Sequence, residues 1–181
     1  PNHAPNTDEP KNFKALQAAV LKHQADAGFL FDGDCDRVAM VDEKGRLVHG
    51  GALACIIASA LVRKGDAVVV TPTVSRLCVR YLVSLGAKVC LSRIGHTNVS
   101  QTLHEKKGVF ALERSGHYYF RDFFFEDSAD VAAVIALSVI SRAKNSVSQL
   151  VKQFTPDFDI EDKMPCKDAQ RLVATLANLA P

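Results

Sequence analysis

Apolar and polar residues change their spacing several times along the chain, and each change marks an element. Over residues 10–25, Phe13, Leu16, Ala19 and Val20 recur near the helical period, which predicts an amphipathic helix. Residues 28–31 form a short apolar run suited to a buried strand. A polar loop at 32–37 follows, then a second strand at 38–41, a hairpin turn at Asp42-Glu43-Lys44-Gly45, and a return strand beginning with Leu47 and Val48. Gly50-Gly51 marks a break and an expected domain boundary. From there helices and strands alternate: helix 52–63, strand 67–71, helix 75–85 stopped by Gly86, strand 87–91, helix 97–107 closed by Gly108, and strand 109–112. A loop at 113–117 precedes a long apolar helix over 128–142, with Asp127 or Ser128 as its cap, and a short helix over 147–154. Thr155-Pro156-Asp157 reads as a linker, and Met164-Pro165 precedes a last helix over 167–178. The alternation predicts an α/β fold, a mixed and mostly parallel sheet with helices on both faces.

Composition changes this picture little. In 181 residues, 48% hydrophobic and 23% charged residues are ordinary for a globular chain large enough to bury a core. The formal net charge is +2 and the basic residues are dispersed, which argues against nucleic acid or an anionic membrane as partner. The longest mostly apolar run, 131–140, is too short to span a bilayer. The five cysteines, Cys35, Cys55, Cys78, Cys90 and Cys166, include no C-x-x-C pair, so neither a disulfide framework nor a zinc site is suggested. Free thiols in apolar stretches fit a reducing compartment, and a cytoplasmic location is expected. The polar, proline-rich opening without an initiator Met reads as the interior of a longer protein.

Candidate chemistry concentrates in two loops. In Phe29-Leu30-Phe31-Asp32-Gly33-Asp34-Cys35-Asp36-Arg37, three carboxylates alternate over five residues at a strand end. In a turning backbone they can face one point, as magnesium requires of hard oxygen donors, and unpaired they repel. Gly33 permits a tight turn, and Arg37 places a fixed cation beside any phosphate bound there. The alternatives are a solvated Asp/Gly turn, a calcium EF-hand, and a phosphatase with Asp32 as aspartyl nucleophile. Against the EF-hand, its sixth position is Arg37 rather than Gly, and the flanks read as strands. The second loop is Leu112-Glu113-Arg114-Ser115-Gly116-His117. Glu113 can accept from two neighbouring sugar hydroxyls, Ser115 can donate and accept, and His117 adds an imidazole that can do either. By itself the loop also reads as a capping turn between strands. His3, His23, His49 and His104 read as ordinary surface or partner-bonded residues.

Together the loops resemble the α-D-phosphohexomutases, above all the phosphomannomutase/phosphoglucomutase branch. Asp32 to Arg37 follows that family's D-G-D-G-D-R magnesium loop with Cys35 in place of Gly. Glu113, Ser115, Gly116 and His117 follow its G-E-x-S-G-H sugar loop, with Leu112 departing at the leading Gly. Gly95-His96-Thr97 is similar to its G-H-S/T phosphosugar turn, and Pro1-Asn2-His3-Ala4-Pro5-Asn6 to its segment before the domain 2 helix. The resemblance implies repeated α/β domains incomplete at both ends. Residues 1–49 would be the back half of domain 2, 50–155 domain 3, and 156–181 a linker and the start of domain 4. It implies magnesium held by Asp32, Asp34 and Asp36. It implies a phosphorylated hexose bound through Gly95, His96, Glu113, Ser115, Gly116 and His117, and a hexose 1,6-bisphosphate as activator and intermediate. Arg37, His117 and His96 would take catalytic roles. No serine here precedes His-Asn-Pro, so the phosphoserine nucleophile is expected in missing domains of the same parent chain, and this chain alone is expected to be inactive. A non-catalytic phosphosugar- or magnesium-binding module is the other reading. Where relatives often carry Lys or Arg after the strand ending at Thr71, this chain has Pro72 and Thr73, with Arg76 beyond.

Overall fold

The structure, a computed structural model, describes residues 6, 7, 9–154 and 168. The linker and final helix expected beyond residue 154, the opening hexapeptide apart from Asn6, and Cys166 lie outside the described residues.

The expected first helix is split. Pro10–Phe13 is a 3₁₀ turn with Pro at its start, and α1 (Lys14–His23) follows. α1 ends at Gln24, whose left-handed backbone (φ 51°) lets its N–H reach the carbonyl of Leu21. Then come β1 (Ala27–Phe31), β2 (Val38–Asp42) and β3 (Leu47–Val48), an antiparallel sheet in the order β1-β2-β3. Phe31 pairs with Val38 across the 32–37 loop, so that loop is the tip of a hairpin. Strands flank it on both sides, which excludes the helix-loop-helix frame of an EF-hand.

The second sheet is built from β4 (Ala67–Val70), β5 (Lys88–Leu91), β6 (Phe110–Leu112), β7 (Tyr118–Phe120) and β8 (Glu126–Asp127), in the order β5-β4-β6-β7-β8. β5, β4 and β6 run parallel, and β7 and β8 are antiparallel additions. The helices are α2 (Gly50–Leu61), α3 (Arg76–Ser84), α4 (His96–Glu105), α5 (Ala129–Ile140) and α6 (Val147–Val151). They cover both sheet faces, and the strand period sorts the contacts. Val68, Val70, Phe110, Leu112, Tyr118 and Phe120 face the large core with α2, α3, α5 and α6. Val69, Ala111 and Tyr119 face Val99 and Leu103 of α4.

Gly50-Gly51 is the first turn of α2 rather than a loop. The His49 ring caps that turn, its Nδ1 accepting from Gly51 N at 3.0 Å. The chain comes close here: a Cβ on Gly50 would lie 3.0 Å from the Arg114 carbonyl, and Tyr118 Oη donates to Gly50 O at 3.0 Å. α2 is apolar on every side and stays buried from Gly51 to Ala58, because it is enclosed by α3, α5, α6 and β2. Val38 and Met40 of β2 enter the same core, so the two sheets share one interior. Among the described residues no helix is long and apolar enough to cross a membrane, and Cys35, Cys55, Cys78 and Cys90 are free thiols.

Candidate functional site

Two hairpin tips form the site. Between β1 and β2 the first is closed by Asp32 N donating to Arg37 O at 3.3 Å. Between β6 and β7 the second is closed by Glu113 N donating to His117 O at 3.0 Å. The tips are pinned together through the backbone by an antiparallel bridge between Arg37 and His117 and by Val38 N donating to Gly116 O at 3.2 Å. Gly116 has φ +95°, and a Cβ there would stand 3.0 Å from the Val38 carbonyl, so the junction needs glycine. A third tie comes from α5, where Ala129 N donates to Cys35 O at 3.3 Å.

Asp32 is buried, and both its oxygens are held by Arg37, at 2.7 Å from Nε and 3.1 Å from the backbone N. Burial pushes the Asp32 carboxyl up, but the Arg37 hydrogen bonds more than reverse this and hold it below the usual carboxylate range. Asp36 goes the other way. Burial raises it first and the hydrogen bond shared with Asp32 adds to that, while the nearby His117 only partly offsets them. Its Oδ1 is buried without a hydrogen-bond partner. Asp32, Asp34 and Asp36 each offer an oxygen within 4.8 Å of the others. Crowded hard donors, with one buried oxygen that makes no hydrogen bond and has only the Arg37 Nε at 3.7 Å, fit a small divalent cation such as magnesium.

Across the junction, His117 Nε2 lies 3.4 Å from Asp36 Oδ2, and its Nδ1 is 2.8 Å from Ser115 Oγ and 3.6 Å from Glu113 Oε2. Glu113 is buried and anchored. Tyr119 Oη donates to it at 2.9 Å and Gly95 N at 3.4 Å. Burial, followed by the Glu113 charge, keeps the Tyr119 phenol protonated far above its usual range. Gly95, with φ +115°, precedes α4, whose first residue is His96. Arg37, Asp32, Asp34, Asp36, Gly95, Glu113, Ser115, Gly116 and His117 are thus brought to one region. His96 stands at its margin with Asp127 and Glu126. A cleft of about 700 Å³ beside the sugar loop is walled by Glu113, Ser115, His49, Thr73 and Ile94, and the three aspartates do not line it. Sequence reasoning missed Tyr119, Glu126 and the site position of Asp127. Of the two cap candidates, Asp127 and Ser128, the cap of α5 is Ser128, whose Oγ accepts from Val131 N at 3.2 Å.

The phosphoglucomutase/phosphomannomutase alpha/beta/alpha domain III model matches residues 49–158, and the domain II model matches residues 1–45. The chain belongs to this family. Within the α-D-phosphohexomutases, it is 38% identical over 139 residues to a phosphoglucosamine mutase of Chlamydia muridarum, covering 75% of this chain and 30% of that protein. It is 29% identical over 176 residues to a phosphomannomutase of Escherichia coli, covering 96% of this chain and 39% of that one. The chain therefore spans between three tenths and two fifths of these relatives. The crystal structure of a phosphoglucomutase/phosphomannomutase family protein from Burkholderia thailandensis superposes with a TM-score of 0.77 at 25% identity, over 86% of this chain and 34% of that one. The phosphohexomutase fold expected from the two loops agrees with the mixed sheet and its helices.

Proposed function

We propose that this chain carries the metal and sugar loops of a magnesium-dependent phosphohexomutase that interconverts hexose 1-phosphates and hexose 6-phosphates of the mannose or glucose type. The observation that carries this reading is the backbone junction between Arg37 and His117, which holds two loops 80 positions apart in the sequence as one site. Residues 1–49 supply the metal loop and 50–155 the sugar loop. A phosphoserine contributed by another domain of the parent gives its phosphoryl group to the sugar, forming a hexose bisphosphate. The sugar reorients, and its other phosphoryl group returns to serine.

Asp32, Asp34 and Asp36 would hold magnesium, which when bound neutralises charge on the transferring phosphoryl group. Arg37 fixes Asp32 and orients phosphate or the serine loop. Glu113, immobilised by Tyr119 and Gly95, accepts from two adjacent sugar hydroxyls with Ser115 beside it, so a sugar in either orientation meets the same acceptors. His117, poised between Ser115 and Asp36, exchanges a proton with a sugar hydroxyl, and His96 contacts phosphate or assists that exchange. The aspartyl-phosphatase reading is weaker, because both Asp32 oxygens accept hydrogen bonds from Arg37.

Two measurements test this. In a coupled assay with magnesium, glucose 1-phosphate or mannose 1-phosphate and a bisphosphate primer, the chain alone is expected to be silent, and activity to appear when the parent's other domains are supplied. Robust turnover by the chain alone would sink the reading, because a nucleophile would then lie within these residues. Separately, magnesium is expected to raise the melting temperature of the chain and to lose that effect in Asp36→Asn. Saturation at a hundred times Kd corresponds to about 2.7 kcal/mol.

A further inference from the structure

His96 has two acidic partners, and they differ in kind. Asp127 has a side chain only 7% exposed, and its Oδ2 lies 3.2 Å from His96 Nδ1. Glu126, its neighbour on β8, is 47% exposed, and its Oε2 lies 3.0 Å from Nε2. Both ring nitrogens therefore meet carboxylates. Burial alone would lower the imidazole pKa; the charge and hydrogen bond of Asp127, then those of Glu126, outweigh it and raise it. That favours the doubly protonated ring with two N–H donors. Ser100 Oγ donates to Glu126 Oε1 at 3.0 Å and steadies that side chain, while the Tyr119 ring packs 5.6 Å from the imidazole. Asp127 also offers an oxygen within 4.8 Å of donor atoms of Asp36 and His117, so it stands behind the junction of the two loops. A buried carboxylate is costly to uncouple from its partner, whereas an exposed ion pair is worth little and yields to a better anion.

We propose that Glu126 is a built-in placeholder for the anionic ligand: it occupies the Nε2–H of His96 that a phosphate oxygen takes on binding, while Asp127 is a positioning residue that holds Nδ1–H and aims the ring. The inference rests on reading the site as one for phosphosugars and deepens it. It assigns opposite effects to two adjacent acids. Removing the charge of Glu126 removes a competitor for the imidazolium. Removing the charge of Asp127 releases the ring.

The test titrates inorganic phosphate into the 181-residue chain and follows the His96 ring resonances at fixed pH and ionic strength, in wild type, Glu126→Gln and Asp127→Asn. Glu126→Gln is expected to tighten phosphate about twofold to fivefold. Asp127→Asn is expected to weaken it about tenfold and to leave the ring exchanging between tautomers. A merely structural role would weaken both variants. The proposal is overturned if Glu126→Gln leaves affinity unchanged or lowers it, or if phosphate does not move the His96 resonances. Should Asp127→Asn fail to fold, the Glu126→Gln result decides alone. Failure of the phosphohexomutase reading looks different: glucose and mannose phosphates would bind no more tightly than inorganic phosphate, while the opposite responses of the two variants persist.

Discussion

Cys35 holds a left-handed backbone, φ 64°, at the turn of the metal loop, where its carbonyl must accept from the first N–H of α5. A side chain with a Cβ in that region costs about 1–2 kcal/mol, and the related loop motif has glycine there. Cys35→Gly relieves the strain but gives the unfolded chain more freedom, which offsets about 0.4–1 kcal/mol. The net expectation is a gain of roughly 0.5–1 kcal/mol, read as a higher urea midpoint without magnesium. An unchanged or lower midpoint would show that the thiol makes a compensating contact. Gly116 is the converse case. With φ +95° and the Val38 carbonyl 3.0 Å from where a Cβ would stand, Gly116→Ala meets both backbone strain and overpacking. A loss of about 2–4 kcal/mol is expected, together with loss of phosphosugar binding, because the two hairpin tips would be pushed apart. Binding that survived a large drop in stability would mean that the junction is not what aligns the loops.

At the scale of elements, the legible parts were those whose signal is local. The metal loop could be read because Asp32, Asp34 and Asp36 repeat at a spacing of two beside a strand, and the hairpin fixes their common side without distant help. Glu113, Ser115 and His117 were legible for the same reason. α2, β4, α3 and β5 were visible in their apolar periodicity and glycine stops. β7 and β8 were not. Tyr118, Tyr119 and Phe120 are buried on both sheet faces, so they show no alternation, and the strand is three residues long. β8 is only Glu126 and Asp127, two acids that no strand propensity suggests. In the apolar run Phe123 to Phe125, Phe124 is 84% exposed and left-handed at φ 56°. Missing β8 hid the partners of His96, because the contact spans 31 positions and is created only when β8 joins the sheet edge beside α4.

At the scale of the whole molecule, the small antiparallel sheet is tied to the larger unit far from the site as well as at it. Val38 and Met40 fill the core around α2, and Glu43, in the β2–β3 turn, accepts from both the backbone N (3.0 Å) and the hydroxyl of Ser148 on α6, 105 positions away. Burial alone would raise the Glu43 carboxyl, but the Ser148 hydrogen bonds more than offset it and hold it at about 2, below its ordinary 4.5. A lowered folded-state pKa means the unfolded chain takes up the proton first. The stabilisation is therefore present in full above about pH 4.5 and disappears as pH falls toward about 2. Glu43→Gln should lower stability by about 1 kcal/mol near neutrality. The gap between its urea midpoint and that of wild type should close on acidification through that window. A gap that stayed constant with pH would show that the tie works through shape and not through the carboxylate charge. Because the tie joins the sheet bearing the metal loop to α6, its removal in Glu43→Gln should also weaken magnesium binding near neutrality. A titration of magnesium at pH 6 should then show weaker binding by Glu43→Gln than by wild type, and equal affinities would confine the tie to stability.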